Sequence, residues 1–192
     1  MALKKIAAAQ AAEIVALAGL GEGANAVDAG LDPADFLDQL ARRGLFVDAV
    51  RFLAHALPKR EAVWWACLCA RESLAPDAPA AAVAALQAAE RWVYGPGEEN
   101  RREAMARAEA AKFDGPASWA AVAAFWSGGS MAPPEAPVVP PGDTLTAAAV
   151  AGSVLLAAVQ REPQLAADKY RRFLGFGLDI ADGGSGRPRA AS

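Results

Sequence analysis

FLAHALPKREAVWWACLCAR, residues Phe52–Arg71, decides how the rest of the chain is read. It holds the only histidine, His55, both cysteines, Cys67 and Cys69, and two of the five tryptophans, Trp64 and Trp65. Pro58 divides it, because proline ends one helix and is accepted in the first turn of the next. From Ala62 to Ala70 every residue is apolar. With successive side chains about 100° apart, a helix over that span has no polar face. Such a helix is stable only when others surround it. The stretch therefore predicts an all-α protein packed around a central helix, Lys59–Leu74.

Working outward, the same pattern recurs between Gly and Pro signals. On the N-terminal side, Phe46, Ala49, Val50, Leu53 and Leu57 return at helical spacing and predict a helix over Leu45–Leu57. Before it, Asp32-Pro33-Ala34-Asp35 combines an N-cap acid, a first-turn proline and a second acid, opening a helix that buries Phe36, Leu37 and Leu40. Leu3–Leu20 reads as a helix closed by glycine, and Ala24–Ala29 as a weaker one. On the C-terminal side, helices are expected at Asp77–Tyr94, Glu98–Phe113 and Ala117–Ser127, then one capped by Asp143 or Thr144 and reaching Gln160, and one over Pro163–Ala181. No segment alternates long enough for a strand. The expectation is an irregular multi-helix bundle of about nine or ten helices.

The 192 residues, 54% hydrophobic and 21% charged, suit one globular domain over residues 1–182. Alanine makes up about a quarter of the chain, which favours helix and lets helices approach closely. GGSMAPPEAPVVPPG, residues 128–142, reads as an extended polyproline-like connector. Residues 183–192 read as a disordered polar tail. The net charge of −3, with scattered Lys and Arg, leaves no electrostatic footprint for nucleic acid. The pairs Arg42-Arg43, Arg101-Arg102 and Arg171-Arg172 read as solvated faces or local ion pairs.

Near the start, a basic pair and an apolar stretch imitate a signal peptide, but Gln10 and Glu13 interrupt the apolar run. The expected location is the cytoplasm, where two free thiols fit a reducing environment. Leu145–Val159 carries no charge, yet fifteen residues reach only about 22 Å against a hydrocarbon core of about 30 Å. A buried helix is the better reading than a membrane span.

Three groups of residues invite a functional reading. Asp48, Arg51 and His55 stand opposite the apolar stripe of their helix, with Arg60 and Glu61 beyond the turn. His55 and Glu61, with Asp48, are the candidates for an acid–base site; the plainer reading is a solvated face with His55 near the negative helix end. Cys67 and Cys69 project about 200° apart on a helix and cannot bond to each other. Amid Trp, Leu and Ala they read as buried and inert. Trp119, Phe125, Trp126, Met131, Pro133 and Pro134 offer rigid aromatic and proline surface of the kind that dominates protein interfaces. There is no P-loop, GxGxxG, HExxH, GxSxG or zinc spacing, so neither a cofactor nor a metal is indicated.

Three blocks, DAVRFLAHALPKREAVWWACLCAR (Asp48–Arg71), SWAAVAAFWSGGSMAPP (Ser118–Pro134) and YRRFLGFGLDIA (Tyr170–Ala181), resemble a bacterial family catalogued as a domain of unknown function. Its members accompany type VI secretion components, including PAAR-like spike tips and their adaptors. The resemblance implies a cytoplasmic bacterial accessory protein and carries no catalytic residue with it. Together with the residues it points to a non-catalytic helical adaptor or chaperone that binds another protein. The alternatives are an enzyme centred on His55 and Glu61, and a membrane-active protein using Leu145–Val159.

Overall fold

The computed structural model describes residues 3–187. It is all-α: nine α-helices and two 3-10 turns, with no strand among the described residues. The helices are α1 (Ala11–Ala18), α2 (Pro33–Arg42), α3 (Phe46–Ala56), α4 (Lys59–Ser73), α5 (Ala80–Tyr94), α6 (Glu98–Ala110), α7 (Gly115–Phe125), α8 (Leu145–Val159) and α9 (Ala166–Ala181).

The local signals explain most boundaries. Asp32 caps α2 as its pattern requires, its carboxylate accepting from the amides of Ala34 at 2.9 Å and Asp35 at 3.2 Å. Those donors hold the Asp32 carboxyl below its usual range. The first helix is shorter than Leu3–Leu20. The amides of Ala9 and Gln10 donate to the Glu13 carboxylate, so the chain enters α1 only at Ala11. Upstream, the Lys5 amide donates to the carbonyl of Ala181 at 2.8 Å, tying the N-terminal segment across the end of α9. The expected helix Ala24–Ala29 is a 3-10 turn, Glu22–Ala26. Pro163 opens a second such turn, Pro163–Leu165, rather than α9 itself.

The centre of the bundle is shared, and α4 is not its most enclosed member. In α7, nine of eleven residues are buried, against seven of fifteen in α4. α7 packs most extensively on α8, and α4 lies on both; α5 and α6 close the α7 side, while α3 and α9 close the α8 side. Alanine allows this. Ala117, Ala120, Ala121, Ala123 and Ala124 keep α7 thin enough for close neighbours all round. Two hydroxyls satisfy backbone carbonyls inside the packing: Ser153 donates to Pro116 O and Thr146 to Trp126 O, both at 2.8 Å. α8 carries the run Leu145–Val159 with nine of its residues buried. No described helix is long and apolar enough to cross a membrane.

On α4, the two tryptophans differ. Trp65 is wholly buried, whereas Trp64 and Leu68 are half-buried on the outward side. The segment that covers them is not a helix. Residues Gly183–Arg187, expected as part of a disordered tail, turn back over α4 with Gly186 buried. Residues 188–192 of that tail lie outside the described residues.

Candidate functional site

The polar residues singled out around His55 do not assemble into one constellation. Asp48 is buried rather than solvated, and its carboxylate accepts from the amide of Gly21 at 2.8 Å. Arg51 donates to the carbonyl of Gly19 at 3.0 Å. Both residues therefore pin the turn that follows α1 onto α3. Glu61 pairs with Lys5 at 3.1 Å, and Arg60 Nε donates to Val93 O at 2.6 Å, closing the end of α5. His55 is half-buried, and that burial lowers its pKa. The cleft beside Glu61 is lined by Lys5, Arg60, Trp64 and Ile180, and by neither His55 nor Asp48.

Cys67 and Cys69 are fully buried, as their surroundings imply, and burial pushes both thiols up. A charged cleft of about 350 Å³ lies between the ends of α4 and α8 and the start of α9. Its charges largely answer one another: Arg172 pairs with Glu72 at 2.9 Å, and Lys169 meets Glu162 at 4.0 Å and the carbonyl of Arg161.

The aromatic and proline group is where the structure gathers surface. Trp119 and Trp126 meet edge to face, their centroids 6.4 Å apart, and both are half-buried. Phe125 leaves the docking set, since it is only 5% exposed and lies under a guanidinium. Met131 is half-buried, while Pro133 and Pro134 are exposed. The connector they belong to is not extended along its length. The Ala136 amide donates to Pro133 O at 3.0 Å, turning the chain, and the Met131 amide then donates to Val139 O at 2.8 Å. Ser130 Oγ accepts from the amides of Ala132 and Val139, both at 3.1 Å, and closes the loop at its neck.

What holds this loop to the bundle is Arg101, one of the pair expected on a solvated face or in a local ion pair; the ion pair with Glu98 is present, but the side chain is buried. It is 3% exposed. Its guanidinium donates to Phe125 O at 2.6 Å, to Ser130 O at 2.8 Å and to the Glu98 carboxylate at 2.7 Å, and it sits 4.5 Å from the centroid of the Phe125 ring. Arg102 adds bonds to Glu98 at 2.6 Å and Ala132 O at 3.1 Å. The hydrogen bond from Arg101, with that from Arg102, holds the Glu98 carboxyl down to about 2. A signal for Arg101 existed. It shares an i, i+3, i+7 stripe with Ala104 and Ala108, the other buried residues of α6. The second residue missed is Val138, at the far side of the loop, 75% exposed.

The three resembling blocks fall on α3–α4, on α7 with the loop, and on α9. Residues 36–181 match the family described as "Family of unknown function (DUF6931)", and the chain belongs to that family. No curated protein and no solved structure matches it.

Proposed function

We propose that this member of the DUF6931 family is a non-catalytic helical adaptor or chaperone of the bacterial cytoplasm that docks on another protein through the loop from Ser130 to Val139. The observation that carries this reading is the loop itself: closed at Ser130, clamped by a buried arginine, and presenting Pro133, Pro134 and Val138 to solvent. A proline-rich segment held in one conformation loses little further entropy on binding. Partners that read such segments do so with aromatic-lined grooves. Trp126 and Trp119 extend the surface at the base of the loop.

The resemblance of Asp48–Arg71, Ser118–Pro134 and Tyr170–Ala181 to proteins that accompany type VI secretion supports a spike-tip or effector component as the partner. Co-purification of the full chain with PAAR-like spike and effector proteins tests both parts. Retention of one such protein by the wild type is expected. Replacing Pro134 and Val138 together with serine should weaken it at least tenfold and leave the melting temperature unchanged. If no spike or effector protein is retained or stabilises the chain, the adaptor reading fails; retention undiminished by the loop variant removes the loop from it.

A further inference from the structure

The residues that follow α9 are seated like a bound peptide. The Gly183 and Gly184 amides donate to the carbonyls of Ile180 at 2.9 Å and Asp179 at 2.8 Å and cap α9, and beyond that cap the Gly186 amide donates to the Asp179 carboxylate at 2.7 Å. In the opposite sense, the indole N–H of Trp64 donates to Ser185 O at 2.8 Å. The Arg187 guanidinium lies 5.5 Å from the centroid of the Trp64 ring. Gly186 has a left-handed backbone, φ 73°, and a Cβ there would stand 2.7 Å from Leu68 Cδ1 and 2.8 Å from Ile180 Cδ1. Only glycine fits that position. The floor of the slot is Leu68 and Ile180, its walls are Trp64 and Asp179, and its occupant contributes backbone, glycine and one arginine.

Two features mark this slot as more than a resting place for the residues that follow α9. Trp64 and Leu68, one helical turn apart, form an apolar strip on α4 that no side chain of the covering segment larger than serine fills before Arg187. The slot also continues past the segment. A cleft of about 180 Å³ runs to Arg60, Glu61 and Lys5, and an open groove leads to Tyr94, which is 68% exposed and edge-on to Trp64 at 5.6 Å.

We propose that Trp64, Leu68, Asp179 and Ile180 form a peptide-binding slot, closed in cis by residues 184–187, whose partner is an extended glycine-containing segment followed by arginine on another protein. Each recognition element has a donor or acceptor already in use. Asp179 takes the peptide amide, Trp64 the carbonyl, the Leu68–Ile180 floor admits glycine alone, and the indole face receives the guanidinium. A tethered occupant acts at an effective concentration of about millimolar, so a weaker free peptide is kept out until the tether is displaced. The slot is separate from the Ser130–Val139 loop, and its test does not depend on that reading.

The probe is a fluorescent peptide of sequence Gly-Gly-Ser-Gly-Arg, followed by anisotropy against the full chain and two full-length variants that unseat the segment, Gly186→Val and Gly184→Val. Either variant suffices if the other does not fold, and circular dichroism shows which has folded. Binding to an opened chain should be at least tenfold tighter than to the wild type. Trp64→Ala added to the opened chain should abolish it, as should a peptide with alanine in place of its last glycine, the one directly before arginine. Opened chains that bind no better than the wild type overturn the proposal, as does equal binding of the alanine peptide.

Discussion

The indole N–H of Trp65 donates to the backbone carbonyl of Phe173 at 2.7 Å, in the fully buried contact between α4 and α9. The ring lies against the α9 backbone at Gly177, where an added Cβ would stand 2.9 Å from Trp65 Cε2. A polar atom in the core is thereby satisfied, and two helices are held at one distance and one rotation. Trp65→Ala should cost about 3–5 kcal/mol from the lost burial and the cavity left behind. Out of a total stability of about 5–15 kcal/mol, that is a large share. Urea unfolding should show it as a lowered midpoint. Trp64→Ala, at a half-buried ring covered by Ser185 and Arg187, should shift the midpoint far less. Equal shifts for the two would mean that the outward side of α4 is as firmly packed as the inward side.

Arg101 and Glu98 differ in what they stand to lose. The guanidinium is buried on two carbonyls and a carboxylate, whereas Glu98 is exposed at the other end of the pair. Arg101→Met keeps the stem packing but leaves Phe125 O and Ser130 O without their charged donor, and should cost about 1.5–3 kcal/mol. Glu98→Gln should cost less than about 1 kcal/mol, as is usual for an exposed partner. The sign of the acid dependence follows from the lowered Glu98 pKa. Its contribution is complete above the ordinary value near 4.5 and disappears as pH falls through about 2. An NMR titration of the Ser130 and Val139 amides should therefore show the loop base intact at pH 3.5.

His55 carries a dependence in a milder range. Burial lowers its pKa in the folded state below the ordinary value of 6.5. Between the folded and unfolded values the unfolded chain binds more protons, so stability is complete above about pH 6.5 and declines as pH falls through that window. His55→Gln should flatten this part of the curve. The check is the difference in urea midpoint between pH 7.5 and 5.5, wild type against variant. A wild-type midpoint no lower at pH 5.5, relative to the variant, would remove burial as the controlling influence on this imidazole.

How much of this was legible in the residues depended on whether a local rule or a distant contact decided the outcome. Asp32-Pro33 and the uncharged run Leu145–Val159 fixed α2 and α8 because capping and apolar length act within the segment. Residues 3–10 read as helix because alanine favours it, but Glu13 takes two of the amides and Lys5 bonds a carbonyl 176 positions away in the chain. The deep burial of α7 was hidden by its composition, since alanine gives little amplitude to an apolar pattern. At the loop, the prolines were visible and the arginine clamp was masked by the ordinary behaviour of basic pairs. The seat of residues 184–187 left no pattern at all. It is made by backbone groups, and a glycine-rich stretch reads alike whether bound or free.

α9 contains two glycines two positions apart, Gly175 and Gly177, that should respond to alanine in opposite directions. Both lie inside the helix, where Gly is worse than Ala by about 0.5–1 kcal/mol through the freedom it loses on folding. At Gly175 a Cβ would meet nothing within 4 Å, so Gly175→Ala should realise that gain and raise the melting temperature. At Gly177 the Cβ would stand 2.6 Å from Leu53 Cδ2 and 2.9 Å from Trp65 Cε2, both fully buried side chains with no room to withdraw. Overpacking of that kind costs about 1–3 kcal/mol, more than the propensity returns. Gly177→Ala should therefore lower the melting temperature, and combining it with Trp65→Phe, which shortens the ring it strikes, should cost less than the two changes do separately. Calorimetry on the two alanine variants, Trp65→Phe and the double variant decides it. Stabilisation by both alanines would mean that α4 and α9 stand further apart than the Trp65–Phe173 hydrogen bond allows.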